Sequence, residues 1–235
     1  MTRRRWIADE HSGDRAALVG QHAMHLARVL RAQVGQEFDI AAGDMVRHGR
    51  ITRINEGRVE FELGEPVNAP ELASVSLGLA IFKFDRMEWA IEKCTELGVA
   101  AITPMIAKRS EPHLAAAAQK RVERWRRIAR EAAEQSRRAQ PPEISNPCLL
   151  AEFLAHVDGA RILLAEHGEN VSLREILQKV GPPVTLAIGP EGGWTDGEVR
   201  AFTDAGWVPS SLGATILRAE TAAMVAVALA LSEFG

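Results

Sequence analysis

The chain has 235 residues, 46% of them apolar and 25% charged, and a net charge of −3. That length admits one large or two modest domains of an ordinary soluble globular kind. The longest all-apolar run, Ala222–Leu231, is too short to span a bilayer, and the basic start Met1–Trp6 lacks the apolar stretch of a secretory signal. Two cysteines, Cys94 and Cys148, make neither a disulfide framework nor a CxxC pair. No metal site is expected, and a reducing cytoplasm fits.

Residues 1–70 alternate short β-like runs with glycine turns. Phe38–Ile40 leads to Ala42-Gly43-Asp44, and Val46–Ile54 leads to Asn55-Glu56-Gly57. Val59–Leu63 then alternates cleanly with period two. One helix is expected near Gly20–Arg31, with Met24, Leu26, Val29 and Leu30 as its apolar positions. Short strands, tight turns and one small helix suggest a compact β-barrel. Pro66 to Pro70 reads as a linker.

From Ala73 the texture changes. An apolar strand is expected over Val75–Phe84. A helix follows over Arg86–Leu97, with Met87, Ala90, Ile91, Cys94 and Leu97 on one face and Gly98 as its stop. After a strand at Ala101–Ala107, Leu114–Arg138 reads as one long helix whose inner face is Val122, Trp125, Ile128 and Ala132. Between Ala107 and Pro142, ten Lys/Arg stand against four acids, so this segment is basic in an acidic chain. It marks either a located anionic partner or a solvated helix face with Glu–Arg pairs. Arg161–Ala165 and Pro183–Ile188 are further buried strands, and Thr195-Asp196-Gly197-Glu198 is a capping box opening a helix that ends at Gly206. A strand near Leu212–Leu217 and a helix from Glu220 close the chain. Alternating strands and helices give an α/β fold with a mostly parallel sheet. The last helix is apolar almost all round, so it is buried either inside its domain or at a subunit interface.

The most informative stretches are Ile188-Gly189-Pro190-Glu191-Gly192-Gly193-Trp194-Thr195 and Leu212-Gly213-Ala214-Thr215-Ile216-Leu217-Arg218-Ala219-Glu220-Thr221. Each is an apolar run that ends in glycine and enters a helix, bringing bare backbone close to a ligand. The first is neither GxGxxG nor a P-loop. No Lys or Arg lies between Gly181 and Val199, while Glu191 and Asp196 are acidic. A phosphate is therefore disfavoured, and a non-phosphorylated, cationic ligand fits better.

These two stretches resemble the C-terminal motifs of the RsmE-type ribosomal RNA methyltransferases, of the SPOUT class. Lys83 with Asp85-Arg86-Met87-Glu88, Lys93 with Glu96–Val99, Ile102–Pro104, Arg109-Ser110, Glu134–Ser136 with Arg138, Pro142–Ile144, and His25 with Arg28–Arg31 extend the resemblance over nearly the whole chain. Residues 166–180 match little, and Trp194 stands where a smaller or aliphatic residue is expected.

The resemblance implies an N-terminal PUA-like RNA-binding barrel at 1–70 and a SPOUT α/β domain at 71–235, its C-terminal segment threaded as a trefoil knot. It also implies a homodimer, not bound to a membrane, that uses S-adenosylmethionine to methylate N3 of a uridine in the decoding region of 16S rRNA in the small ribosomal subunit. The expected cofactor residues are Leu164, Ile188, Gly189, Pro190, Glu191, Gly192, Gly193, Leu212, Gly213, Ile216, Leu217 and Thr221, with backbone near Leu164, Gly189, Gly193, Leu212 and Leu217 as polar contacts. Uridine N3 holds a proton, so Glu220 is the expected acceptor. Arg218 is expected to steady the uracil oxygens; the competing reading makes the two an ion pair that braces the fold. Expected RNA contacts are Arg3, Arg4, Arg5, Arg28, Arg31, Arg86, Arg109 and Arg138. The alternatives are a SPOUT enzyme acting at another position, such as a ribose 2′-oxygen, and a catalytically silent RNA-binding or assembly factor.

Overall fold

The computed structural model describes residues 5–43, 45–68, 72–155, 157–165 and 171–234. The chain divides into two compact units, Met1–Glu71 with Ala133–Pro141, and Leu72–Ala132 with Pro142–Gly235.

The first unit contains β1 (Arg5–Ile7), β2 (Glu10–Ser12), β3 (Arg15–Val19), α1 (Gly20–Met24), β4 (Glu37–Ala42), β5 (Met45–Asn55) and β6 (Arg58–Val67). They form one sheet in the order β1-β4-β5-β6-β3-β2, antiparallel except for β1 on β4. Register shifts between Arg47 and Gly49 and between Ile51 and Arg53 interrupt the β5–β6 ladder; such bulges bend and twist a sheet, letting it curl around its core. That core is Trp6, Leu18, Leu26, Ile40, Ile51, Val59 and Phe61. The expected single helix differs. After α1 the backbone widens into a π-helical turn at His25–Val29, and Arg31 takes a left-handed φ of 53°. The extra residue per turn rotates the end of the segment. Ala23 and Leu26 are buried, whereas Met24, Val29 and Leu30 are exposed.

The second unit contains β7 (Val75–Ala80), α2 (Phe84–Leu97), β8 (Ala101–Ile106), α3 (Pro112–Ala118), α4 (Val122–Gln135, whose last residues count with the first unit), β9 (Glu143–Ile144), β10 (Cys148–Leu149) and α5 (Leu150–Ala155). It continues with β11 (Ala160–Leu164), β12 (Val171–Ser172), α6 (Leu173–Leu177), β13 (Val184–Ile188), α7 (Asp196–Asp204), β14 (Val208–Ser211) and α8 (Ala219–Phe234). The sheet is parallel throughout, in the order β10-β8-β7-β13-β11-β14-β12 with β9 beside β8. β13 is central and buried along its whole length, as a strand covered on both faces requires.

Alternation along β7 shows the two layers. Leu77 and Leu79 join the core under α2, α6 and α8, while Ala80 joins the one that holds Phe153 of α5 and Phe202 of α7. Gly78 is needed here because a Cβ would lie 2.4 Å from the Phe153 ring. Cys94 sits in the first core, where burial pushes its thiol up to about 12, so it stays protonated and inert.

Three boundaries depart from expectation. β7 ends at Ala80 and α2 begins at Phe84, so 81–83 is a short connection outside the strand. The expected long helix is broken by a 3-10 turn at Gln119–Arg121; Val122, Trp125 and Ala132 are buried as expected, and Ile128 partly so. Leu212–Leu217 is not a strand. Pairing on β14 stops at Ser211, Gly213 takes a φ of 125°, and Ile216 is 79% exposed. Its apolar residues look like those of a strand, but the segment pairs with no strand among the described residues. No helix among the described residues is long and apolar enough to cross a membrane.

Candidate functional site

At the carboxyl ends of β11, β13 and β14 the second unit opens a cavity of about 850 Å³. Ligands gather at such strand ends in open α/β sheets. Both glycine-bearing stretches reach it. Leu164 ends β11 on one wall, and Ile188 leads from β13 into the Gly189–Gly193 loop. Leu212, Gly213, Ile216, Leu217 and Arg218 supply the facing segment.

The first loop is braced from behind. The Arg109 guanidinium donates through Nη1 to the Gly192 carbonyl at 2.7 Å and to that of Trp194 at 3.3 Å. The Trp194 indole N–H donates to the Leu164 carbonyl at 3.0 Å, and its ring meets Phe202 edge-on at 4.9 Å. A Cβ on Gly189 would crowd the indole at 3.1 Å, so this glycine and this tryptophan fit as a pair. Gly193 takes a φ of 69°, which a side chain there would strain.

Glu198 completes the brace. Its carboxylate accepts from the Thr195 N–H and hydroxyl, each at 2.8 Å, and from the Lys108 N–H at 2.6 Å. The capping box is thus present as expected, and it also ties the loop to residues after β8. Glu198→Ala is expected to destabilise the fold by about 2–4 kcal/mol, because a cap and hydrogen bonds to a buried charge are lost together. Thermal unfolding of the variant beside the parent measures it.

The second stretch brings charge. Arg86, early in α2, lines the cavity and donates through Nη1 to Glu191 at 2.6 Å. Its Nε lies 3.8 Å from Oε1 of Glu220. Glu220 is 2% exposed, and its Oε2 is buried without a hydrogen-bond partner. Arg200 and Arg218 also line the cavity, both exposed and with no ion-pair partner among the described residues. The loop itself carries no cation, as its sequence says, yet tertiary structure supplies three arginines, one of them held by acids.

Of the expected cofactor residues, Leu164, Ile188, Gly189, Pro190, Glu191, Gly192, Gly193, Leu212, Gly213, Ile216 and Leu217 all line the cavity; Thr221 does not. Arg218 lies on the wall, while Glu220 is set behind it next to Arg86. The Arg218–Glu220 ion pair of the competing reading is not formed; Glu220 faces Arg86 instead. The Leu164 carbonyl, expected to meet a ligand, already accepts from Trp194. The sequence reading missed Trp194, Arg200 and Ser210 as lining residues. The departure at Trp194 was a signal, but nothing local pointed to the other two.

The expected RNA residues scatter. Arg3 and Arg4 lie outside the described residues. Arg5 is 6% exposed, donates to the Arg137 carbonyl and lies 4.0 Å from Asp39. Burial lowers its pKa, and it serves as an internal strut rather than a surface contact. Burial also lowers Arg138, to about 10. Arg109 and Arg86 are committed to the glycine loop as described. Arg28 and Arg31 are exposed, Arg28 beside Glu56 at 3.4 Å. Three arginines of the basic segment are neutralised: Arg124 and Arg121 share Glu88 of α2, and Arg126 pairs with Glu123. That favours the solvated-face reading for these three.

Residues 69–231 match the family model of the RNA methyltransferase domain. A curated relative from Synechocystis, the ribosomal RNA small subunit methyltransferase E, is 35% identical over 87% of this chain and 68% of its own length. Its namesake from Mycobacterium bovis is 33% identical over 92% of this chain and 86% of its own. Among solved structures, the methyltransferase E of Neisseria gonorrhoeae, bound to S-adenosyl methionine, superposes with a TM-score of 0.88 at 27% identity, covering 99% of this chain and 98% of that one.

Proposed function

Since the chain belongs to the family of ribosomal RNA small subunit methyltransferase E proteins, which are RNA methyltransferases, we propose that it methylates N3 of a uridine in the decoding region of 16S rRNA, using S-adenosylmethionine. The observation that carries this reading is the meeting of both glycine stretches in one cavity, beside a buried carboxylate with an unpartnered oxygen.

The donor set fits that cofactor. The cavity combines exposed loop backbone at Gly192 and Gly213, apolar side chains at Ile188 and Leu217, and acids at Glu191 and Asp196. Bare glycine backbone and apolar walls suit an adenine edge. Arg200 and Arg218, with no ion-pair partner among the described residues, suit the carboxylate of an amino-acid tail, and the acids suit its ammonium and sulfonium charges. When bound, S-adenosylmethionine supplies a methyl group on a sulfonium centre, and the C–S bonding pair stays on sulfur as the methyl leaves. The residues then have two tasks. Glu220 takes the N3 proton through Oε2, a buried oxygen with no hydrogen-bond partner that lies behind the cavity wall and must be uncovered when RNA binds. Arg218, exposed on the wall, faces the charge that spreads over the uracil oxygens. Rigid bracing of the loop by Arg109, Trp194 and Glu198 contributes by holding the reacting groups in line.

The same reading includes a PUA-like RNA-binding role for the first unit, a knotted C-terminal segment and a cytoplasmic homodimer. The incomplete burial of Val225, Ala228 and Leu229 on the apolar α8 supports a homodimer, and sedimentation tests it. The deciding experiment methylates unmodified small ribosomal subunits with labelled cofactor and maps the product nucleoside. N3-methyluridine at a single position is expected. Label in a 2′-O-methyl nucleoside would move the chemistry to ribose. RNA binding with no label and no cofactor heat would leave a silent assembly factor.

A further inference from the structure

We propose that Arg86 is a positioning residue that sets the Glu220 carboxylate for proton transfer while itself held by Glu191; this rests on the reading of Glu220 as proton acceptor. Three observations carry it. Arg86 lines the cavity and its guanidinium faces Glu220. Its two contacts are unequal: 2.6 Å to the part-exposed Glu191, and 3.8 Å, beyond hydrogen-bond reach, to the buried Glu220. Lastly, Glu220 Oε2 accepts from nothing.

A buried carboxylate needs a nearby cation to remain charged. A guanidinium closed onto it bidentately would occupy both oxygens and make it a poor acceptor. The Glu191 bond settles this conflict. It pins the fork of Arg86 on the glycine loop, so the positive charge stays close to Glu220 without donating to Oε2. The same pin couples the loop to the acceptor, since any movement of Glu191 moves Arg86. Lys would supply a point charge but not a fork that spans both acids. Expected as an RNA contact, Arg86 is thus assigned to the chemical step.

The test uses full-length protein and unmodified small subunits at saturating cofactor, comparing Arg86→Met, Glu220→Gln and the double variant in single turnovers. Arg86→Met is expected to slow methylation roughly 10²-fold, within the range of a misplaced general base, with KM for subunits changed less than about threefold. The double variant is expected to be no slower than Glu220→Gln alone, because Arg86 acts only through that carboxylate. Should Arg86→Met not fold, Arg86→Lys carries the same comparison, with a loss of about tenfold in the parent and none beside Glu220→Gln. A raised KM at unchanged rate would make Arg86 an RNA contact and overturn the proposal. An equal loss in both backgrounds would overturn it too, as an effect independent of Glu220. In either case Glu220→Gln alone remains slow, so the acceptor reading stands. If Glu220→Gln methylates at the parent rate, acceptor and positioning roles fall together.

Discussion

Glu220→Gln is expected to slow methylation of small subunits about 10²–10⁴-fold at saturating cofactor, the usual contribution of a positioned general base. The substitution keeps shape and volume, so the 2% exposed site accommodates it without a cavity. It removes the charge that faces Arg86 and replaces a buried carboxylate with one unpartnered oxygen by an amide. Cofactor affinity is expected to stay within about threefold of the parent, because Glu220 lies behind the cavity wall rather than on it. Single-turnover rates and calorimetry of cofactor binding separate the two effects. A variant that methylates within about threefold of the parent would remove Glu220 from the chemistry and leave catalysis to positioning. Arg218→Ala in the same assay is expected to lower the rate without moving the melting temperature, since its side chain is exposed and pairs with nothing described.

Trp194→Ala is expected to destabilise the fold by about 3–5 kcal/mol, as large aromatic truncations in a core do. The residue is 7% exposed, packs on Phe202 and fills the space over Gly189. For a chain of this length each kcal/mol moves the melting temperature by roughly 2–4 °C, so a fall of about 6–20 °C is expected. Cofactor binding is expected to weaken as well, because Trp194 holds the glycine loop against the end of β11. Trp194→Phe separates packing from hydrogen bonding. It keeps most of the ring but loses the bond to the Leu164 carbonyl, a net loss of about 0.5–1.5 kcal/mol. Melting of Trp194→Ala within about 2 °C of the parent would show that the indole is not a brace.

Much of the architecture was legible. The 2-residue period of Val59–Leu63, the apolar runs at Pro183–Ile188 and Arg161–Ala165, which fall within a residue of strands β13 and β11, and the capping box at Thr195 all name their local structure. These signals depend on neighbours in sequence. Misreadings arose where the outcome depended on neighbours in space. Leu212–Leu217 has strand-like residues but pairs with no strand among the described residues. The Gly20–Arg31 segment has helix spacing, but its π-helical turn swings Val29 and Leu30 into solvent. Arg5 looks like part of a basic arm and is buried, with its guanidinium on the Arg137 carbonyl.

The sequence by itself determined where backbone is bare: glycine lacks a Cβ wherever it sits, and the lack of Lys and Arg beside Gly189–Gly193 is a local fact. It also determined that Glu191 lies in one glycine-bearing turn and that Arg218 and Glu220 lie at the edge of the other. Tertiary structure alone decided which charge meets which. Arg86 reaches Glu191 across 105 positions of chain and lies beside Glu220, because the parallel sheet sets α2, the first loop and the start of α8 together at one end. Pairing over such distances follows from strand order and helix packing, which the whole hydrophobic core selects and no short stretch of sequence encodes.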